Sequence, residues 1–410
     1  MKNCTELTSC VACGSNNLKL TLDLNSQPLA NSYKLKQDDL QEEYPLAINR
    51  CEECYHVQLT HSVDPHLMFD DYLYVSGIAK TGHEYFDYFA KYATEQYPEA
   101  KTVFDIGCND GTQLDYFKKL GFQTYGVDPA KNLYEMSKDN HNIWVGYFND
   151  EFVFDCILPR ENATFDIITA QNVFAHGPNP LGFLETAKKI MNDNTLMFIQ
   201  TSQAYMIPNN EFDTIYHEHI SFFNIQSMDK LCQRAGLYLI DVQTVPIHGG
   251  SYVFVVSKTE RSPFVKDRVK YLIEIERVAG RYTEQTYVDY ANNAANIVTE
   301  LQKQIDAYRQ DPAGWNIVGY GAAAKGMTLL NHSKIKLDFI VDDTPLKQNR
   351  FTPGSSIPIV SAENIDNLSR TLFVPLAWNF FTEIRSKIKQ RRNNDQDRFI
   401  TYFPSVKITD

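Results

Sequence analysis

Thr102-Val-Phe-Asp-Ile-Gly-Cys-Asn-Asp-Gly111 limits this chain more than any other stretch. A short apolar run, too short for a helix, leads into a glycine-rich turn and then into helix-forming residues, Thr112 to Leu120, closed by Gly121. A second apolar run, Thr124-Tyr-Gly-Val127, ends at Asp128. This order predicts a β-turn-α-β unit with a carboxylate at the end of its second strand, placed to accept ribose hydroxyls. Phe165 to Ala170 and Thr195 to Gln200 add two more strands of the same kind. The spacing of the turn narrows the choice of ligand. A dinucleotide site would read G-x-G-x-x-G, whereas Asp105-x-Gly107-x-x-x-Gly111 brings the acids Asp105 and Asp110 to the turn. Carboxylates there repel a pyrophosphate and suit a ligand carrying an ammonium and a sulfonium. A nucleotide-binding or degenerate Rossmann domain is the other reading of the same unit.

The cysteines give a second, independent constraint. Five of the eight fall within the first 54 residues, and four of these form the pairs Cys10-x-x-Cys13 and Cys51-x-x-Cys54. A two-residue gap lets one tight turn aim two thiolates at one ion, and two such turns complete a tetrahedral S4 shell. The expectation is structural Zn2+, with Cys4 as a rival ligand and Gly14 supplying a positive φ just after the first pair. Cys108, Cys156 and Cys232 lack such partners and read as core.

At 410 residues the chain is long enough for two or three domains. A net charge of -12 argues against nucleic acid, whose binding is driven by cationic side chains at phosphates. No run approaches the about 20 apolar residues of a membrane span, and the start of the chain lacks a secretory apolar core, so a cytoplasmic location and no membrane partner are expected. The sequence leaves the oligomeric state open.

Tyr216-His-Glu-His219 sets four ionisable side chains in a row just before an aromatic pair, Phe222-Phe223. In an extended conformation Tyr216 and Glu218 would point one way, His217 and His219 the other. That suits a base with an orienting carboxylate; a metal site using His217, Glu218 and His219, or a solvated loop, are the other readings. The C-terminal third repeats the strand-to-glycine design: Trp315 to Gly321, a helix from Ala322, and Leu337 to Val341 ending at Asp342. Gly319-x-Gly321-x-x-Ala324 fits a dinucleotide turn, and Lys325 at the helix start could hold a pyrophosphate.

Taken together these pieces resemble the sugar C-methyltransferases of deoxysugar pathways. The resemblance rests on the two cysteine pairs, Gln27-Pro-Leu-Ala-Asn-Ser32, the Tyr-x-Tyr-x-Ser stretch from Tyr72 to Ser76, the turn at Asp105 to Gly111, Tyr216-His-Glu-His219, His248-Gly-Gly-Ser251, Gly319 to Gly326 and Trp378-Asn-Phe380. It implies an α/β chain in three parts. These are a zinc-binding module at 1–66, a central Rossmann-like class I methyltransferase domain at 67–258, and a C-terminal Rossmann-like α/β domain at 259–410. The implied cofactor is S-adenosylmethionine, held by Asp105, Gly107, Asn109, Asp110, Gly111, Asp128, Gln171 and Asn172. The implied substrate is a nucleotide-diphosphate-linked keto-deoxysugar of dTDP or GDP type, with His176, His248, Gly321, Lys325, Asp342, Trp378 and Asn379 as binding residues. His219 matches the general base of the family, with Tyr216, Glu218 and Tyr74 as neighbours. O-methylation of a sugar hydroxyl and a noncatalytic nucleotide-binding protein stand as alternatives.

Overall fold

The computed structural model describes residues 3–70, 72, 75–78, 80–160, 163–261 and 263–410. Its contacts divide the chain into two units. The first comprises Met1–Lys19, Asn49–Ala204 and Glu218–Tyr282, the second Leu20–Ile48, Tyr205–His217 and Thr283–Asp410. The long helix Pro263–Val278 therefore belongs with the first unit, beyond the boundary at 258/259 expected from the sequence. It stays there because Val269, Leu272 and Ile273 pack into that unit's core and Arg268 pairs with Asp241.

The first unit is built on a seven-stranded sheet. Its spatial order is Tyr238–Val245, Ser251–Ser257, Met191–Thr201, Phe165–Gln171, Thr102–Ile106, Gln123–Asp128 and Asn142–Val145. Only Ser251–Ser257 runs antiparallel to its neighbours. This is the Rossmann-like α/β sheet expected from the turn at Gly107. The central strands are apolar on both faces because helices cover both. Val103, Phe104, Ile106, Ile167, Ile168 and Phe198 are all buried, and the helix Lys80–Gln96 sets Phe89 edge-on against Phe198 at 5.7 Å.

One polar chain runs through this core. Gln113 Nε2 donates to Thr169 Oγ1 at 3.1 Å, and Thr169 Oγ1 donates to Asp105 Oδ1 at 2.6 Å. Burial pushes the Asp105 carboxyl up to about 7, although the Thr169 bond opposes the rise.

The second unit has a six-stranded sheet in the order Ile359–Val360, Phe339–Val341, Asn316–Tyr320, Thr371–Pro375, Arg398–Thr401 and Lys407–Thr409, parallel except for the last strand. The strand order reverses at Asn316–Tyr320, the kind of switch point beyond whose carboxyl end α/β sheets bind ligands. Among the described residues no helix is long and apolar enough to cross a membrane.

Two outcomes test this packing. Phe198→Ala should lower the unfolding free energy of the first unit by about 3–5 kcal/mol, read as a fall in its urea midpoint. Asp105 holds a proton in the folded chain that an unfolded aspartate, with its ordinary value of 3.8, has already lost. Its contribution to stability is therefore complete below 3.8 and disappears as pH rises to about 7. Urea titrations across that range should show a smaller decline with pH for Asp105→Asn than for the parent.

Candidate active site and metal centre

The two cysteine turns are built alike. Gly14 N–H donates to Cys10 O at 2.8 Å and Tyr55 N–H to Cys51 O at 2.9 Å, with φ of 85° and 58° at the donors. Tyr55 thus adopts the left-handed conformation that glycine takes in the first turn. The Sγ atoms of Cys10 and Cys54 lie 3.6 Å apart, those of Cys13 and Cys51 3.5 Å apart, and all four lie within 4.8 Å of one another. Four sulfurs each ~2.3 Å from one ion have edges of about 3.8 Å, close to the two measured pairs, so this donor set fits a zinc ion. Contacts with Cys10 and Cys54 hold the Cys51 thiol well below its usual value and push those two partners up. Sulfurs this close compete for one negative charge until a cation joins them. Cys4 lies outside the cluster. Cys108 and Cys232 are buried, as expected of core thiols, and Cys156 is half-buried.

At the glycine turn, Gly107 and Gly111 have φ of 74° and 80°. A Cβ on Gly107 would come within 3.0 Å of Val173, so the turn packs tightly against the loop after Phe165–Gln171. The turn's N–H groups are met from the next strand: Gly107 and Cys108 donate to Val127 O, and Asn109 N–H donates to Asp128 Oδ2 at 2.8 Å. Asp128 Oδ1 accepts from Ala130 N–H at 2.9 Å. Burial raises this carboxyl, while the two amides pull it down. Asp110 accepts from Thr112 N–H and from Gly77 N–H, and Asn109 Oδ1 accepts from Ser76 N–H at 2.9 Å. Asp105 faces into the core rather than the turn, so the charge expected there comes from Asp110 and Asp128.

The loop after Phe165–Gln171 supplies the test of fit for the cofactor. Both side-chain amide atoms of Gln171 and the Oδ1 of Asn172 are buried, with no hydrogen-bond partner among the described residues. Buried polar atoms of this kind require a partner, and a polar ligand at the carboxyl ends of the central strands provides one. The residues present fit S-adenosylmethionine on this ground.

His176, at the end of the same loop, packs against two rings. Phe69 stacks with it at 5.5 Å with 4° between planes, and His219 at 5.3 Å with 28°. Burial pushes His176 down to about 4 and keeps it neutral. Tyr216–His219 bends into a turn at His217 and Glu218, so the alternation of an extended run does not apply to it. The chain passes from the second unit to the first within it, at 217/218. His217 accordingly stays with the second unit, its Nε2 3.2 Å from Tyr44 O, whereas Glu218 and His219 join the first. Glu218 Oε2 accepts from Tyr72 OH at 3.0 Å, and Tyr72 exchanges two backbone hydrogen bonds with the side chain of Asn132. The Tyr-x-Tyr spacing drew attention to this segment, but Tyr74 lies outside the described residues. Asn132 had no sequence signal at all. His248 sits in the turn Ile247–Gly249 with φ of 57°, next to Ser251, which accepts from Gln200 Nε2 at 3.0 Å.

In the second unit, Gly321 has φ of 85° and a Cβ there would meet Ala377 at 2.9 Å. Asp342 repeats the arrangement of Asp128: Oδ2 accepts from Ala322 N–H at 2.6 Å, and Oδ1 from Thr344 N–H at 2.8 Å. Lys325 Nζ lies 4.8 Å from the centre of the Trp378 ring, and Trp378 Nε1 donates to Asp213 Oδ2 at 2.8 Å. Burial pushes Asp213 up to about 7, and nearby Lys325 opposes this. Asn379 follows in the short helical turn Trp378–Phe380. Gly321, Lys325 and Trp378 thus gather at the end of the sheet where strand order reverses, and Asp213 is the member that sequence reasoning missed.

Comparison with known proteins finds three domain matches in succession along the chain. Residues 10–69 match a putative zinc binding domain, 78–242 a methyltransferase domain, and 246–404 a C-methyltransferase C-terminal domain. The C-methyltransferase NovU of Streptomyces niveus is 29% identical over 414 aligned positions, which cover 98% of this chain and 97% of that protein. A ubiquinone biosynthesis O-methyltransferase of Glaesserella parasuis is 30% identical over 26% of this chain, an alignment spanning about half (49%) of that relative. Among solved structures, the PH0226 protein of Pyrococcus horikoshii aligns with 47% of this chain and 98% of its own at 12% identity, with a TM-score of only 0.37. Three successive domain matches and one relative aligned end to end make this chain an S-adenosylmethionine-dependent methyltransferase with an N-terminal zinc-binding domain, similar along its length to a C-methyltransferase.

Proposed function

We propose that this enzyme methylates the carbon next to the ketone of a nucleotide-diphosphate-linked keto-deoxysugar. The observation that carries the reading is the stack of His219 on the neutral His176, with Glu218 held by Tyr72 beside it. S-adenosylmethionine supplies an electrophilic methyl group when bound, with Gly107, Asn109, Asp110, Gly111, Asp128, Gln171 and Asn172 around it and Asp105 supporting the turn from beneath. A carbon beside a ketone loses its proton to a positioned base near neutral pH, and an unprotonated imidazole suits that task. His219 takes the proton. Glu218 organises the carbonyl side, where hydrogen-bond donors stabilise charge developing on the ketone oxygen, and Tyr216 is its neighbour as the family resemblance implies. Tyr74 completes this group as the family resemblance implies.

We assign the nucleotide of the substrate to the carboxyl edge of the second unit's sheet. Gly321 opens the backbone at the helix start, Lys325 offers a cation there, and Trp378 offers a ring face to a base or sugar. Asp342 and Asn379 border the same edge, and His248 completes the substrate residues in the first unit. The O-methyltransferase relative motivates one rival, in which the same base deprotonates a hydroxyl. The position of the new methyl group, read by NMR, separates the two.

With a dTDP-linked keto-deoxysugar in deuterated water, His219→Ala should slow deuterium wash-in at the carbon beside the ketone by about 10²–10⁴-fold. Calorimetric affinity for S-adenosylhomocysteine should stay near that of the parent. Undiminished wash-in would remove His219 from the role of base.

A further inference from the structure

Ile220, the residue after His219, has both of its backbone polar groups fixed. Its N–H donates to Ala175 O at 2.9 Å, beside His176, and its carbonyl accepts from Leu59 N–H at 2.8 Å. Leu59 ends the strand Val57–Leu59, which begins three residues after Cys54. The ladder continues antiparallel, pairing Ser221 with Gln58 and Phe222 with Val57. A two-residue strand such as Ser221–Phe222 cannot hold its own geometry; its partner imposes it.

That partner is in turn held by both cysteine turns. Gln58 Oε1 accepts from Val11 N–H at 2.9 Å and Gln58 Nε2 donates to Ser9 O at 3.0 Å, which joins the strand to the first turn. From the second turn, Tyr55 O accepts from Asn224 Nδ2 at 2.7 Å, and the His56 ring lies 4.6 Å from the Phe223 ring. Backbone order in such turns depends on the metal, because four thiols without an ion supply too little cohesion.

We propose that metal binding at Cys10, Cys13, Cys51 and Cys54 positions His219, with the Leu59 N–H as the link. The zinc-binding domain is then a splint for the base-bearing segment. The inference rests on His219 as base, but its structural half can be measured without that reading. The residues assigned to the cofactor lie along the carboxyl edge of the central sheet and none belongs to the ladder, so cofactor affinity and base position should part when the metal leaves.

The test uses the full chain, stripped of zinc by chelation and then reloaded. Backbone amides of Leu59 and Ile220 should exchange with deuterated water about tenfold faster or more in the stripped protein. Affinity for S-adenosylhomocysteine should stay within about threefold while wash-in of deuterium into the keto-sugar falls about tenfold or more. Zinc should restore both. Unchanged exchange at Leu59 and Ile220 after verified zinc loss would overturn the proposal. The cysteines also border the main core, so a stripped chain that loses S-adenosylhomocysteine binding would shift the decision to a second variant. Leu59→Pro keeps all four cysteines and deletes the linking N–H. With a full zinc complement and normal S-adenosylhomocysteine affinity, it should lower wash-in; normal wash-in would overturn the link. If His219→Ala leaves wash-in intact while zinc still governs exchange at Ile220, the base assignment fails and the splint stands.

Discussion

Everything at the carboxyl edge of the first sheet depends on how the amides of one glycine turn are satisfied. Gly107, Cys108 and Asn109 point N–H groups into a region where buried donors need acceptors. The next strand provides them: Val127 gives its carbonyl and Asp128 gives a carboxylate oxygen. The turn is therefore fixed before any ligand arrives, and the remaining acceptor capacity of Asp128 faces the ligand edge. Asp342 does the same for the Ala322 N–H in the second unit, which shows the constraint to be one of backbone chemistry rather than of one cofactor.

The sequence revealed the parts whose logic is local. Each cysteine turn spans five residues, and its spacing alone sets its geometry, so the metal site could be read without knowing the fold. The glycine turn and Asp128 were legible for the same reason. Asp105 was not. In a parallel strand buried on both faces no alternation tells which way a side chain points, and its partner Thr169 is 64 positions away. The turn within Tyr216–His219 was not legible, because the change of unit at 217/218 is a tertiary fact without local signature. Asn132 and Asp213 escaped notice because an isolated amide or acid acquires meaning only from what faces it.

The partner of His219 illustrates why nonlocal packing matters for chemistry. A protonated imidazole at the distance of His176 would oppose the arrival of a proton on its neighbour. Stacked with Phe69 and with His219 and pushed down to about 4 by burial, His176 is neutral near pH 7. It can then shape the pocket and exclude water without competing electrostatically with the proposed base. A phenylalanine would share that neutrality but would offer no nitrogen to a polar substrate. The histidine combines ring packing with a hydrogen-bonding atom, which suits the proposed role of the site in holding a polar, ketone-bearing substrate.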